Sequence, residues 1–210
     1  MKFIRGRYNI TSDPIWLAWF ISSSLPKTKG KLSVLDVGIG TGGASLATLV
    51  HTPDAKITGI DISESMLAEC AKNAELNGRE TELIHGDIMT WRTGRTFDIV
   101  ITNPPYFRGT PRAGTGVHHN ADLTKWTRAC LRRVKPRGYF YCIIDATVLT
   151  DIIAALHAGR AGDIEILPLF GVADRPAERV LVRARLGTRG GTKIHAGMSM
   201  NDDDVLRNKN

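Results

Sequence analysis

The chain has 210 residues, 42% hydrophobic and 23% charged, a balance that excludes both intrinsic disorder and fibrous structure. No apolar run approaches the roughly 20 residues needed to span a bilayer, and Ile15 to Ile21, after Asp13, lacks the order of a signal peptide. Three well-separated cysteines, Cys70, Cys130 and Cys142, build neither a disulfide framework nor a zinc cluster, so a cytoplasmic protein without a metal site or membrane association is expected. The formal charge is +7, and its excess is local: between Arg108 and Arg137 eight basic residues stand with Asp122 as the sole acid. A basic segment in an otherwise near-neutral chain fits a polyanionic partner.

In chain order, Thr11-Ser12-Asp13-Pro14 reads as a helix start, with Ser12 or Thr11 as cap, and Pro26 closes that helix. Strand-like runs follow at Leu32 to Val37, Lys56 to Asp61, Glu82 to His85, Phe97 to Ile101, Tyr139 to Ile144, Ile164 to Leu167 and Arg179 to Ala184. Between the early strands lie helical segments, the clearest from Ser63, an N-cap, to Leu76, with Asn77-Gly78 as the stop. The alternation predicts an α/β fold with a mostly parallel sheet covered on both faces. The last two strands, separated by only Pro168 to Glu178, predict a C-terminal antiparallel hairpin. One domain over residues 1–210 is expected, with a cap segment (1–31), a core (32–187) and a tail (188–210) that is frayed or loosely docked from Asn201 on.

The stretch Asp36-Val37-Gly38-Ile39-Gly40-Thr41-Gly42-Gly43 leaves the first strand and opens a helix. Its glycines permit a tight turn and close approach of a ligand to free N–H groups. Gly38, Gly40 and Gly43 also satisfy the dinucleotide fingerprint, with Asp61 about 20 residues on, so an NAD-binding oxidoreductase competes at this point. Asp36 tilts the choice: a carboxylate before the glycines repels a pyrophosphate but attracts the ammonium of S-adenosylmethionine. Asp61 suits ribose hydroxyls, and in Gly86-Asp87-Ile88 an acid after the third strand suits an adenine amino group. Ile62 and Ile88 join Asp36, Gly38, Gly40, Gly42, Asp61 and Asp87 as candidate cofactor residues.

Asn103-Pro104-Pro105-Tyr106 directly follows the fourth strand. The Asn103 side-chain carbonyl and the Pro104 backbone carbonyl would each accept one N–H of a planar, conjugated amine and aim its lone pair at a methyl donor. The paired prolines stiffen the loop, and Tyr106 offers a stacking face. Asn103, Pro104 and Tyr106 are the catalytic candidates, and Pro105, Phe107, Arg108 and Arg112 the substrate-side ones. A helix from Ala121 to Val134 would bury a Leu123, Trp126, Cys130, Val134 stripe opposite Lys125, Arg128 and Arg132, as any amphipathic surface helix does. His118 and His119 lack partners at metal-ligand spacing.

With these motifs the chain resembles the class I S-adenosylmethionine-dependent methyltransferases of the Asn-Pro-Pro-Tyr group. Within them it is similar to bacterial tRNA adenine-N6 methyltransferases that modify the adenosine beside the anticodon of valine tRNA. The resemblance extends through Gly6-Arg7-Tyr8, Ser12-Asp13, His118-His119, Ala121-Asp122-Leu123, Trp126 and Pro176 to Arg185; Asn120 stands where an acid commonly follows the His pair. It implies a Rossmann-like seven-stranded methyltransferase sheet, S-adenosylmethionine as cofactor, Asp13 touching that cofactor, tRNA as partner, and a monomer or weak dimer. The same motif serves relatives that methylate glutamine in release factors, which usually carry a helical domain in front. Protein glutamine-N5 methylation is therefore the alternative activity.

Overall fold

The computed structural model describes residue 2 and residues 12–26, 30–105 and 122–206. Gly6, Arg7, Tyr8, Thr11, Tyr106, Phe107, Arg108, Arg112, His118, His119, Asn120 and Ala121 lie outside the described residues. Helix α1 (Asp13–Ser24) precedes β1 (Ser33–Val37), α2 (Gly43–His51), β2 (Lys56–Asp61), α3 (Glu64–Leu76), β3 (Thr81–His85) and β4 (Phe97–Thr102). Then follow α4 (Leu123–Leu131), β5 (Val134–Asp145), α5 (Leu149–Ala158), β6 (Ala161–Phe170) and β7 (Arg179–Leu186). The sheet order is β3-β2-β1-β4-β5-β7-β6. The first five strands pair in parallel, and β7 runs antiparallel between β5 and β6. The expected parallel sheet and terminal hairpin are both present.

Parallel strands buried on two faces read as continuous apolar runs, and Tyr139 to Ile144 of β5 shows why. Tyr139, Tyr141 and Ile143 pack with Trp16, Leu17 and Ile21 of α1 and with residues of α2 and α3. The alternate residues Phe140, Cys142 and Ile144 pack on the other face with Cys130 of α4 and Ile152 and Leu156 of α5. At Gly59 in β2 a Cβ would lie 2.2 Å from Ile39 Cδ1, so the turn after β1 folds directly onto the neighbouring strand.

Three expectations are corrected. The carbonyl of Ser12 accepts from the Ile15 and Trp16 amides, but its side chain makes no cap bond. The basic helix ends at Leu131, with Asp122 as N-cap accepting from the Lys125 amide at 3.0 Å; Val134 instead pairs with Phe97. The tail is docked through residue 206: β8 (Thr192–Ile194) and β9 (Met198–Ser199) pair in parallel with β6. Helix α6 (Asp203–Leu206) then buries Val205. Trp16 donates its indole N–H to the Met200 carbonyl at 3.2 Å, and His195 Nε2 lies 3.0 Å from Glu165 Oε2. Covering β6 satisfies an edge that would otherwise present open N–H and C=O groups.

Candidate functional site

Register sets Val37 opposite both Ile60 and Thr102, and Asp61 opposite His85, so the carboxyl ends of β1 to β4 stand at one level. Ligands of such sheets bind beyond those ends. There the turn after β1 carries Gly38, Gly40 and Gly42 at φ of 71°, 54° and 88°, a region that disfavours any Cβ. Gly42 caps α2 in the left-handed conformation, and a Cβ on it would lie 2.7 Å from Cys70 Sγ.

Asp61 organises this turn. Its Oδ2 accepts the Gly40 amide and its Oδ1 the Ser63 amide, both at 2.8 Å. The half-buried carboxylate retains further lone pairs, which suit a pair of ribose hydroxyls. Beside it Ile62 is 65% exposed, and Met89 after β3 is also exposed, two apolar surfaces flanking the sheet edge. Asp87 Oδ1 accepts the Met89 amide at 2.8 Å and so shapes the turn that carries it.

Two cofactor candidates sit differently from the expectation. Asp36, expected to face a ligand's ammonium, is only 2% exposed and accepts the Ser45 hydroxyl of α2 at 2.6 Å. Burial raises its pKa to about 7, with the nearby Asp61 charge acting in the same direction and Ser45 opposing. Ile88 belongs to the core shared with α4 and α5, which leaves only its backbone for a ligand.

At the end of β4 the Thr102 hydroxyl donates to the Val37 carbonyl at 2.8 Å, and half-buried Asn103, buried Pro104 and half-buried Pro105 follow. Trp126 of α4 donates its indole N–H to Thr102 Oγ1 at 3.2 Å. The edge of the same ring lies 3.6 Å from the place of a Cβ on Gly38. One tryptophan thus joins the glycine turn to the strand end that carries Asn103. Periodicity marked Trp126 only as a core stripe residue, and no sequence signal pointed to Thr102.

The geometry is that of a nucleoside-binding glycine turn with an amide-bearing loop one strand away. A family model described as a methyltransferase domain matches residues 34–138, half of the chain. The chain belongs to the methyltransferase domain family. The methyltransferase is 27% identical over 194 residues to the tRNA1(Val) (adenine(37)-N6)-methyltransferase of Vibrio cholerae, covering 84% of this chain and 75% of that protein. It is 33% identical over 128 residues to the release factor glutamine methyltransferase of Deinococcus radiodurans; the match covers 56% of this chain and 46% of the relative. The chain thus spans under half the length of that relative. Among solved structures, a predicted O-methyltransferase from Agrobacterium tumefaciens superposes with a TM-score of 0.74 at 22% identity, covering 93% of this chain and 95% of that one. The cofactor of this methyltransferase is S-adenosylmethionine. The doubly anchored Asp61 and the glycine turn fit it, and the NAD reading is dropped.

Elsewhere on the methyltransferase's sheet edge, Asp13 is bound to Arg179: Nε donates to Asp13 Oδ2 at 3.2 Å, while another nitrogen reaches Asp145 Oδ2 at 3.3 Å. The basic segment is divided. Arg133 donates to the Trp91 and Thr93 carbonyls, Lys135 pairs with Asp98 at 2.9 Å, and Arg137 accepts from Arg185 through its carbonyl. These three lie at the amino-terminal ends of the strands, away from Asn103. A hollow of about 430 Å³ lined by Leu25, Pro26, His51 and Pro53 is also at that far edge. No described helix is long and apolar enough to cross a membrane. Among the described residues no group of three or more His, Cys, Asp or Glu is arranged to hold a metal ion.

Proposed function

We propose that this methyltransferase transfers a methyl group to the exocyclic N6 of adenine in a tRNA anticodon loop. The observation that carries the reading is the placement of Asn103 and Pro104 at the end of β4, one strand from the Asp61-anchored glycine turn. The extent of likeness to the Vibrio tRNA enzyme, which runs through most of both chains, supports the choice of target.

An exocyclic adenine amine is a weak nucleophile because its lone pair is delocalised into the ring. The Asn103 side-chain carbonyl and the Pro104 carbonyl accept its two N–H bonds, which draws the nitrogen towards tetrahedral geometry and frees the lone pair. S-adenosylmethionine held by the glycine turn and Asp61 would supply an electrophilic sulfonium methyl and keep the bonding pair on its sulfur. As the N–C bond forms, the displaced amine proton passes to solvent. Pro104 and Pro105 hold both acceptors rigid, since each ring fixes φ. Tyr106 stacks the flipped base, and Phe107, Arg108 and Arg112 border it. An unpaired loop base reaches such a site at less cost than one extracted from a duplex. Asp13, positioned by Arg179, contributes to the cofactor rim. The enzyme acts as a cytoplasmic monomer or weak dimer.

The second reading is glutamine-N5 methylation of a release factor, favoured by the 33% identity to the Deinococcus enzyme over the shared core. Mass spectrometry of nucleosides from unmodified tRNA incubated with the protein and labelled S-adenosylmethionine decides between them. N6-methyladenosine is the expected product. Label on a release factor, or on guanine N2, overturns the reading.

A further inference from the structure

The sheet edge that holds Asn103 carries acids: Asp13, Asp61, Asp87 and Asp145. A polyanion brought to that edge needs cations beside it, and the division of the basic segment shows where they are. Arg133, Lys135 and Arg137 are held at the far edge, whereas Lys125 and Arg128 of α4 and its C-cap Arg132 are exposed at spacings of three and four residues. That spacing places them on one face of the helix, about one turn apart, a step on the scale of neighbouring phosphates along a strand. The opposite face is fixed, because Leu123, Thr127, Cys130 and Leu131 are buried.

The start of the helix is fixed as well: Trp126 binds Thr102, next to Asn103, and abuts Gly38. Gly159 at the end of α5 packs against Leu131, so exposed Arg160, the next residue, stands near the foot of α4. The acids of these two helices are Asp122, the cap of α4, which pairs with Lys125 at 3.0 Å in an exposed bridge, and Asp151 in the first turn of α5. An exposed bridge of this kind is weak and yields readily to a phosphate.

Resting on the tRNA reading above, we infer that the cationic face of α4, formed by Lys125, Arg128 and Arg132 with Arg160 at its foot, is the track that holds the RNA backbone leading to the target base. A protein partner would be expected to find an apolar anchor. None of the exposed large apolar side chains among the described residues lies on α4 or α5. Arginine and lysine without such an anchor match a phosphate backbone.

The test uses the full chain, a tRNA transcript and labelled S-adenosylmethionine. The double charge reversal Arg128→Glu with Arg132→Glu should raise KM for RNA by about tenfold or more at physiological salt. Turnover and cofactor affinity should stay within about twofold. The slope of log affinity against log salt should fall by about two units, one for each lost contact. Arg128→Lys with Arg132→Lys should restore most of the binding, which a merely structural role would not require. Unchanged KM and salt slope, with RNA still methylated, would overturn the track while leaving the tRNA reading intact. Methylation of a release factor rather than RNA, altered by the same reversal, would overturn both.

Discussion

The indole N–H of Trp126 donates to the Thr102 hydroxyl at 3.2 Å, and that hydroxyl donates to the Val37 carbonyl at 2.8 Å. A helix, the strand that delivers Asn103 and the strand that delivers Gly38 are thereby tied by two hydrogen bonds in series. Trp126→Phe keeps an aromatic ring but removes the donor and the atoms that reach Gly38, so it should cost about 1 kcal/mol or more, a shift of at least roughly 2–4 °C in Tm for a chain of this size. Thr102→Val leaves the indole N–H without its acceptor and should cost about 1–3 kcal/mol. Thermal melts of both single variants and the double variant check this: the double should lose clearly less than the sum, because the two residues act on one bond.

Asn103→Ala should lower methyl transfer by about 10²-fold, the scale of losing one preorganised polar group. Cofactor affinity, set two strands away at Asp61, should change little. Single-turnover transfer measured alongside calorimetric cofactor binding separates the two. Full turnover in the variant would remove Asn103 from the reaction.

Asp61→Ala should weaken S-adenosylmethionine binding by about 1–3 kcal/mol, through loss of charge-assisted hydrogen bonds to the ligand. Because Asp61 also receives the Gly40 and Ser63 amides, Asp61→Asn should fall between wild type and alanine. Calorimetry with S-adenosylmethionine and NAD reads both affinities, and NAD should not bind in any form.

Asp36 makes stability depend on pH. Its folded pKa of about 7 exceeds the ordinary carboxylate value of 3.8, chiefly through burial. The folded state therefore holds a proton that the unfolded state has released between about pH 4 and pH 7. Within this window the contribution of Asp36 becomes steadily less favourable as pH rises, and above pH 7 the full burial cost of the charge is present. Asp36→Asn keeps a side chain able to accept from Ser45 and cannot ionise. Its melting temperature should gain on wild type as pH rises from 4 to 8, and parallel pH profiles would contradict the assignment.

Strand-helix alternation, the glycine turn and the Asp61 and Asn103 positions were legible in the sequence because each rests on local chemistry. Gly40 and Asp61 meet across neighbouring strands 21 residues apart, and a glycine turn followed by a helix declares its backbone whatever surrounds it. Only the tertiary structure decided which side chains those motifs could use. Asp36 and Ile88 carried the right residue type at the right spacing, yet packing against α2 and the core turned them inward. The basic segment read as one block, but Lys135 found Asp98 across the sheet and Arg133 found the Trp91 carbonyl, leaving the face of α4 exposed. The end of the chain from Asn201 read as loose because its anchors are distant in sequence: Val205 packs into the core that holds Trp16 and Leu17 of α1. Residue type and spacing report what a side chain can do; burial and distant partners, which depend on how the layers close, decide whether it is left free to do it.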